Sequence, residues 1–145
     1  MATTPQFGAE PILAYNANAI TAANTAMDGT GTVVFLEENV AGTRADWIAG
    51  PGGAFIDMLS IRSRGTNVQT VMRLFANMNA SNGTAVNNDL LEEATCPATT
   101  ASNIAALAPV NMVVKKWVPE GTKLFVTIGT AVAAGFSATM YGSQM

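Results

Sequence analysis

Apolar and polar side chains alternate along several short segments of this chain, and turn residues separate those segments. Within residues 55–63, Leu59 and Ile61 alternate with Ser60 and Arg62. A period of two residues predicts a strand with one face in a core and the other toward solvent or a partner. β-Branched, aromatic and alternating runs predict strands at residues 32–37, 55–63, 68–77, 90–95, 110–118, 123–128 and 136–141.

The segments between these runs favour a sandwich. Gly50-Pro51-Gly52-Gly53 cannot lie inside a sheet and marks a loop, and Pro119-Glu120-Gly121 marks a turn. No segment longer than about ten residues keeps an apolar period of 3.6, so a large helix is not expected. We therefore predict an all-β antiparallel β-sandwich of about seven or eight strands, which forms one domain over residues 27–145.

Residues 1–26 differ from the rest because they are rich in Ala, Thr and Asn and carry almost no charge. Spaced apolar side chains nevertheless occur in this segment, and solvent would not favour their exposure. We predict an ordered, extended N-terminal arm that lies on a neighbouring molecule or on its own domain. Its partner-contact residues are predicted to be Phe7, Ile12, Leu13 and Tyr15.

Two tryptophans are further candidates for partner contact, because tryptophan is enriched at the energetic centres of interfaces and is also a common core residue. Trp47 precedes the Gly/Pro loop and is equally compatible with core and interface. Trp117 lies in the run 110–118, which favours the core. We add Trp47 to the predicted partner-contact residues.

The composition limits the chemistry of the chain. It has no histidine and one cysteine, and only 12% of its residues are charged although 49% are hydrophobic. Histidine is the commonest general acid/base and a leading metal ligand. The charged fraction is about half of that in an average globular protein. This composition predicts a non-enzymatic building part whose surface meets other protein, with no cofactor and no metal.

Charge and motifs exclude further classes of partner. The net charge is −3 and the seven basic residues form no run longer than two, so nucleic-acid binding is not expected. No apolar run approaches the length of a membrane span and no secretory signal is visible, so we expect synthesis in the cytoplasm and no membrane contact. The single Cys96 is expected to be a buried thiol at a strand end.

Two longer stretches carry a resemblance to a known class of proteins. The first is LSIRSRGTNVQTVMRLFAN at residues 59–77, two strands with a Gly-Thr-Asn break between them. The second combines LLEEATCPATT at residues 90–100 with VPEGTKLFVTIGTAVAAG at residues 118–135. Over roughly residues 54–141 the chain resembles small β-sandwich structural proteins of tailed-bacteriophage virions, which include jelly-roll cement or decoration proteins on the outside of the capsid.

The resemblance implies a jelly-roll-like sandwich and a place on the outer surface of a virion capsid. A cement protein binds the major capsid protein, bridges its subunits and forms its own symmetric homodimer or homotrimer. The arm of residues 1–26 would then be a clasp onto a neighbouring subunit, and deletion of residues 2–20 is expected to leave a folded domain that no longer binds capsids. The alternative is a receptor- or glycan-binding module of a tail fibre or tail knob, for which Trp47 is a natural contact. A hydrolase that uses only carboxylates is the third reading.

Overall fold

The computed structural model describes residues 10–145, and ten strands account for about half of that part of the chain. A short 3-10 turn at Ala85–Asn87 is the helical element of the described residues. The strands are β1 (Glu10–Tyr15), β2 (Val34–Phe35), β3 (Glu37–Val40), β4 (Thr43–Asp46), β5 (Ala54–Ser63), β6 (Thr70–Asn77), β7 (Asn88–Cys96), β8 (Val110–Val118), β9 (Lys123–Ile128) and β10 (Phe136–Gln144).

The strands form two antiparallel sheets that pack as a sandwich, which confirms the predicted all-β class. The six-stranded sheet has the order β4-β3-β1-β10-β5-β8, and the four-stranded sheet has the order β2-β9-β6-β7. Within this order β1 pairs with β10, β2 with β9, β5 with β8 and β6 with β7. The chain is thus a long antiparallel hairpin wrapped around a core, which is the jelly-roll arrangement, with β3 and β4 added at one edge.

The core lies between the sheets and is built from the inward-facing half of each strand. In β5 the side chains of Ile56, Leu59 and Ile61 are at most 1% exposed. On the opposite sheet Leu74 and Val126, which are paired across β6 and β9, are fully buried. Two faces of alternating strands therefore supply one contiguous apolar layer, as the period-2 pattern predicts.

The strands predicted at residues 110–118 and 123–128 are confirmed without change, whereas the predicted run 32–37 is divided. Leu36 is fully buried and separates β2, in one sheet, from β3, in the other. The chain switches sheets at this residue, so a single apolar run in the sequence serves both layers. The sequence did not predict β4, which forms a hairpin with β3 through a turn of two residues.

The described part of the predicted arm belongs to the sandwich, which corrects the predicted boundary at residue 26. β1 pairs over its whole length with β10, and Tyr15 pairs with Glu37 of β3. Ile12 and Ile20 are 5% and 2% exposed and lie in the core. Burial of these side chains holds the segment in its own domain, so deletion of residues 2–20 would remove a central strand.

Within residues 10–145 no helix is both long and apolar enough to cross a membrane.

Candidate interaction surfaces

The predicted partner-contact residues are divided between the core and the surface. Phe7 lies outside the described residues. Ile12 and Trp47 are 5% and 1% exposed, so both are core residues and the predicted contact role of Trp47 does not fit the folded chain. Leu13 is 55% exposed on the outer face of the six-stranded sheet, and Tyr15 is half-buried on the same face.

The second tryptophan lies outside the core, which its apolar run favours. Trp117 is 59% exposed on the outer face of β8. Its ring packs beside that of Phe55, its partner on β5, with centroids 5.1 Å apart. Val118, and not Trp117, faces the core at that end of β8.

Six apolar side chains lie on the outer face of the six-stranded sheet. Leu13 lies opposite Tyr141, Tyr141 opposite Met58, and Met58 opposite Val113, so one row crosses four adjacent strands. Phe55 and Trp117 form a second apolar pair on β5 and β8, and the Asp57–Lys115 ion pair lies between this pair and the row. Leu13, Val113, Trp117 and Tyr141 are 43–60% exposed and the other two are half-buried. We call this set the apolar patch: Leu13, Phe55, Met58, Val113, Trp117 and Tyr141.

A sequence signal for the patch exists in β8. Met112, Val113 and Val114 are consecutive apolar residues, and adjacent residues of a strand point to opposite faces. One of the three must therefore be on the outer face, and Val113 is 60% exposed there. A strand that is apolar on both faces indicates that both faces meet apolar surroundings.

Two ion pairs lie on this face, and Arg62 of β5 is exposed there without an ion-pair partner among the described residues. The Lys115 ammonium contacts the Asp57 carboxylate beside the patch, at irregularities in the pairing of β5 with its neighbours. At the other side of the sheet Arg44 Nε donates to Glu37 Oε2 at 2.9 Å, and its guanidinium lies 4.4 Å from the centre of the Tyr15 ring. No unpaired carboxylate therefore adjoins the patch among the described residues.

The outer face of the four-stranded sheet is covered by the chain itself. Phe75 and Phe125 point outward from β6 and β9 and stack with centroids 5.1 Å apart, yet they are 1% and 0% exposed. The backbone of Gly29 lies against the Phe125 ring, and Ala23 bridges to Ile128 at the edge of β9. The two outer faces thus differ: one is closed by the chain's own loop, and the other keeps its apolar side chains exposed.

At one end of the sandwich a buried asparagine joins the loops 64–69, 97–109 and 129–135. Asn67 Nδ2 donates to Ser63 Oγ at 2.8 Å and to Gly135 O at 2.9 Å, and its Oδ1 accepts from Ala134 N at 2.8 Å and Gly135 N at 2.9 Å. Its backbone also pairs with Thr99. The side chain is 4% exposed with all of its donors and acceptors used, so it fixes these loops relative to one another.

The loop 97–109 projects from this end and carries no charge. No charged residue occurs between Glu93 and Lys115. The base of the loop is held by Thr99, whose Oγ1 donates to Gly65 O at 2.7 Å, and its tip is turned by Ser102, whose Oγ accepts from Ile104 N at 3.2 Å. Ile104 is 98% exposed, so a fixed loop presents a large apolar side chain to its surroundings.

A cleft of about 300 Å³ opens where β1 and β3 diverge. Glu10, Glu38 and Asn39 are among its polar lining residues, and Trp47 is beneath it. The indole Nε1 of Trp47 is buried and has no hydrogen-bond partner in the described chain. The indole ring is 1% exposed, so it offers no face on which a ligand could stack.

Asp28, Asp46 and Asp57 lie in three separate contacts. Asp28 accepts from Thr30, which holds the pKa of its carboxyl below the usual value. Asp46 pairs with Lys123 at 3.0 Å, and Asp57 pairs with Lys115. Within residues 10–145 no three His, Cys, Asp or Glu side chains come together as a metal site.

Cys96 is a buried thiol at the end of β7, as predicted. It is fully buried, and burial raises the pKa of the thiol to about 11. The side chain is one of the apolar residues of the core.

No protein-family model, curated protein or solved structure matches the chain.

Proposed function

We propose that the chain is a non-catalytic structural protein of a tailed-bacteriophage virion, of the cement or decoration type. In this role it binds the outside of the assembled capsid and stabilises it by bridging major capsid subunits. The observation that carries the proposal is the loop end of the jelly roll, where a fixed, uncharged loop presents Ile104 at 98% exposure. An exposed apolar side chain on an uncharged loop suits a contact with another protein, and Val68 at the same end is exposed as well.

Preorganisation of this loop favours a binding role. Thr99 ties its base to residues 64–69, and Asn67 ties those residues to the loop 129–135. A contact made by loops that are already ordered loses less conformational entropy on association. Val68, 56% exposed, lies in the neighbouring loop and adds to the apolar character of this end. The contact is assigned to this end because β1 and Ile20 belong to the core and are not free to act as a clasp.

Stabilisation follows from linkage. A protein that binds the assembled shell more tightly than free subunits shifts the equilibrium toward the shell by RT ln(1 + [L]/Kd). A neutral contact surface also avoids the strong salt dependence that a charged surface would show. We therefore expect shell binding to change little with ionic strength.

The test is co-sedimentation of the purified chain with capsids assembled without it. We expect saturable binding and greater resistance of the shells to heat. Substitution Ile104→Asp should weaken binding at least about tenfold, because an unpaired carboxylate would be desolvated in the contact. The matched control is Val86→Asp, since Val86 is 88% exposed in the loop between β6 and β7, at the opposite end of the sandwich. Absence of binding by the folded protein, or equal loss in both variants, would contradict the proposal.

The cleft beside β1 favours a second candidate, a receptor- or glycan-binding module of a tail fibre or tail knob. Its volume of about 300 Å³ suits one small polar unit, and Glu38 and Asn39 offer acceptors and donors for hydroxyl groups. A glycan array tests this candidate. Binding that is lost in Glu38→Gln but kept in Ile104→Asp would favour it over the cement role.

A further inference from the structure

We infer that the apolar patch is the interface of a symmetric homodimer, in which the outer faces of two six-stranded sheets pack against each other. The inference deepens the proposed function by assigning a second copy of this chain to one named surface. It rests on the exposed apolar side chains of the patch, the difference between the two outer faces, the charges of the face and its size.

The difference between the two outer faces indicates that the patch lacks a covering layer of protein. Outward-facing Phe75 and Phe125 are at most 1% exposed, and Gly29 lies against the Phe125 ring, on which Phe75 stacks. The described chain supplies no such cover to the six-stranded sheet, where Val113 and Trp117 are 60% and 59% exposed. A layer of protein over this face would give both sheets of the sandwich an apolar cover.

The charges of this face favour a second copy as that layer. A two-fold interface brings the same surface to both sides. The Asp57 carboxylate beside the patch is neutralised by Lys115 on the same face. The whole chain carries a net charge of −3, and this face has no excess of carboxylates, so it contributes little to the repulsion between two copies.

The size of the face is also adequate. From a strand spacing of about 4.8 Å and a rise of about 3.3 Å per residue, the six strands cover roughly 650 Å² in projection. The accessible area of the face is larger than its projected area because side chains stand up from the sheet. It is therefore comparable to the area of about 800 Å² that each partner of a standard interface buries. The Phe55 and Trp117 rings are large, rigid groups of the kind that contribute most to binding.

The experiment is sedimentation equilibrium of the full-length chain with a matched pair of variants. We expect a dimer with a Kd in the micromolar range or below. Val113→Asp should raise that Kd at least about tenfold, because it places two carboxylates across the two-fold axis. Val86→Asp is the control, since it introduces the same charge at an exposed valine away from the patch. Circular dichroism verifies that both variants are folded.

A second readout distinguishes the possible occupants of the face. Trp47 is buried and Trp117 is exposed in the single chain, so acrylamide quenching reports Trp117. In a dimer, quenching should increase on dilution and should be high at every concentration in Val113→Asp. A monomer with an accessible Trp117 would overturn the inference. A monomer whose Trp117 is shielded at all concentrations would also overturn it and would assign the face to residues 1–9 of the same chain.

The proposed cement role and the proposed dimer interface can be contradicted independently of each other. Val113→Asp tests the sheet face and Ile104→Asp tests the loop end, and the two residues lie on different surfaces of the sandwich. A dimer that does not bind capsids would contradict the cement role and leave the interface intact. A monomer that binds capsids would contradict the interface alone.

Discussion

Gly142 lies where β10 approaches β5 most closely. A Cβ atom built at this position would meet the carbonyl oxygen of Phe55 well inside van der Waals contact and would lie 3.2 Å from its carbonyl carbon. Both atoms belong to the backbone and cannot rotate away. The pairing of β10 with β5 shifts register at this point, so the close approach accompanies a bulge.

We therefore predict that Gly142→Ala lowers the free energy of unfolding by about 2–3 kcal/mol, because the added methyl group must separate two central strands. Urea denaturation measures the change. Gly83→Ala is the control, since Gly83 is exposed and its nearest neighbour is the movable Ser81 hydroxyl at 3.3 Å. An effect of the same size in both variants would show that the close approach is unimportant.

The buried thiol of Cys96 makes the free energy of unfolding depend on pH in the alkaline range. Its thiol pKa is raised from 9.0 to about 11 in the folded chain. Between those values the unfolded chain loses the thiol proton first, so the folded state binds more protons and becomes less stable as pH rises. We predict a decline of roughly 2–3 kcal/mol from pH 9 to pH 11 that is present in the wild type and absent in Cys96→Ala.

The measurement is urea denaturation at several pH values for both proteins, because lysine and tyrosine titrations affect both alike. Parallel pH profiles would mean that Cys96 titrates normally.

At the scale of elements, the β3–β4 hairpin contains a residue poorly suited to its turn. Val40 pairs with Thr43, and the two residues between them, Ala41 and Gly42, have φ angles of 52° and 84°. Two positive φ angles define the type I′ turn, in which Asn-Gly is strongly preferred. Alanine has no side chain that offsets the steric penalty of this region.

We predict that Ala41→Asn raises the free energy of unfolding by about 0.5–1 kcal/mol. Thermal denaturation measures the gain. Ala45→Asn, in the exposed and extended β4 of the same hairpin, should instead be neutral or slightly destabilising, because asparagine is disfavoured in strands. Equal shifts in the two variants would contradict the conformational explanation.

Strands that are long, apolar and bounded by turn residues can be recognised in the sequence, whereas short polar strands cannot. Residues 110–118 and 123–128 are long apolar runs ended by Pro and Gly, so both their type and their limits are visible. β4 is exposed and polar, and its turn begins with alanine, so neither hydrophobic period nor turn chemistry reveals it. β1 is short and contains Pro11, which favours an edge or a loop.

The interaction surfaces are less visible in sequence than the fold. Leu13 was predicted from its apolar character, but Met58 and Tyr141 join it only through pairing between distant strands. Trp117 is exposed although its apolar run favours the core, because composition does not reveal which face of a strand a residue occupies. That face depends on register, and the bulge in β8 near Lys115 changes it within one strand.

At the scale of the whole molecule, the jelly roll joins the two ends of the described chain. β1 pairs with β10 over six residues, so two strands that are far apart in the sequence must meet before this part of the sheet can form. Such distant pairing makes folding slow compared with that of helical domains. It also makes residues 10–20 a part of the cooperative unit, because Ala14 and Ile20 lie in the core together with residues of both sheets.

Two neighbouring residues of β1 test this view of the molecule. Ile12 faces the core at 5% exposure, and Leu13 faces outward at 55% exposure. We predict that Ile12→Ala lowers the free energy of unfolding by about 2–4 kcal/mol, since it removes buried methyl groups and leaves a cavity. Leu13→Ala should change the stability of the monomer by no more than about 0.5 kcal/mol.

Urea denaturation at a protein concentration below the dimer Kd measures both effects in the same state. If residues 10–15 were an arm separate from the domain, Ile12→Ala would leave the main unfolding transition unchanged. Leu13→Ala should instead weaken self-association, because its side chain belongs to the apolar patch. One strand would then contribute to stability through one face and to assembly through the other, since alternate side chains of β1 point to the core and to the second copy.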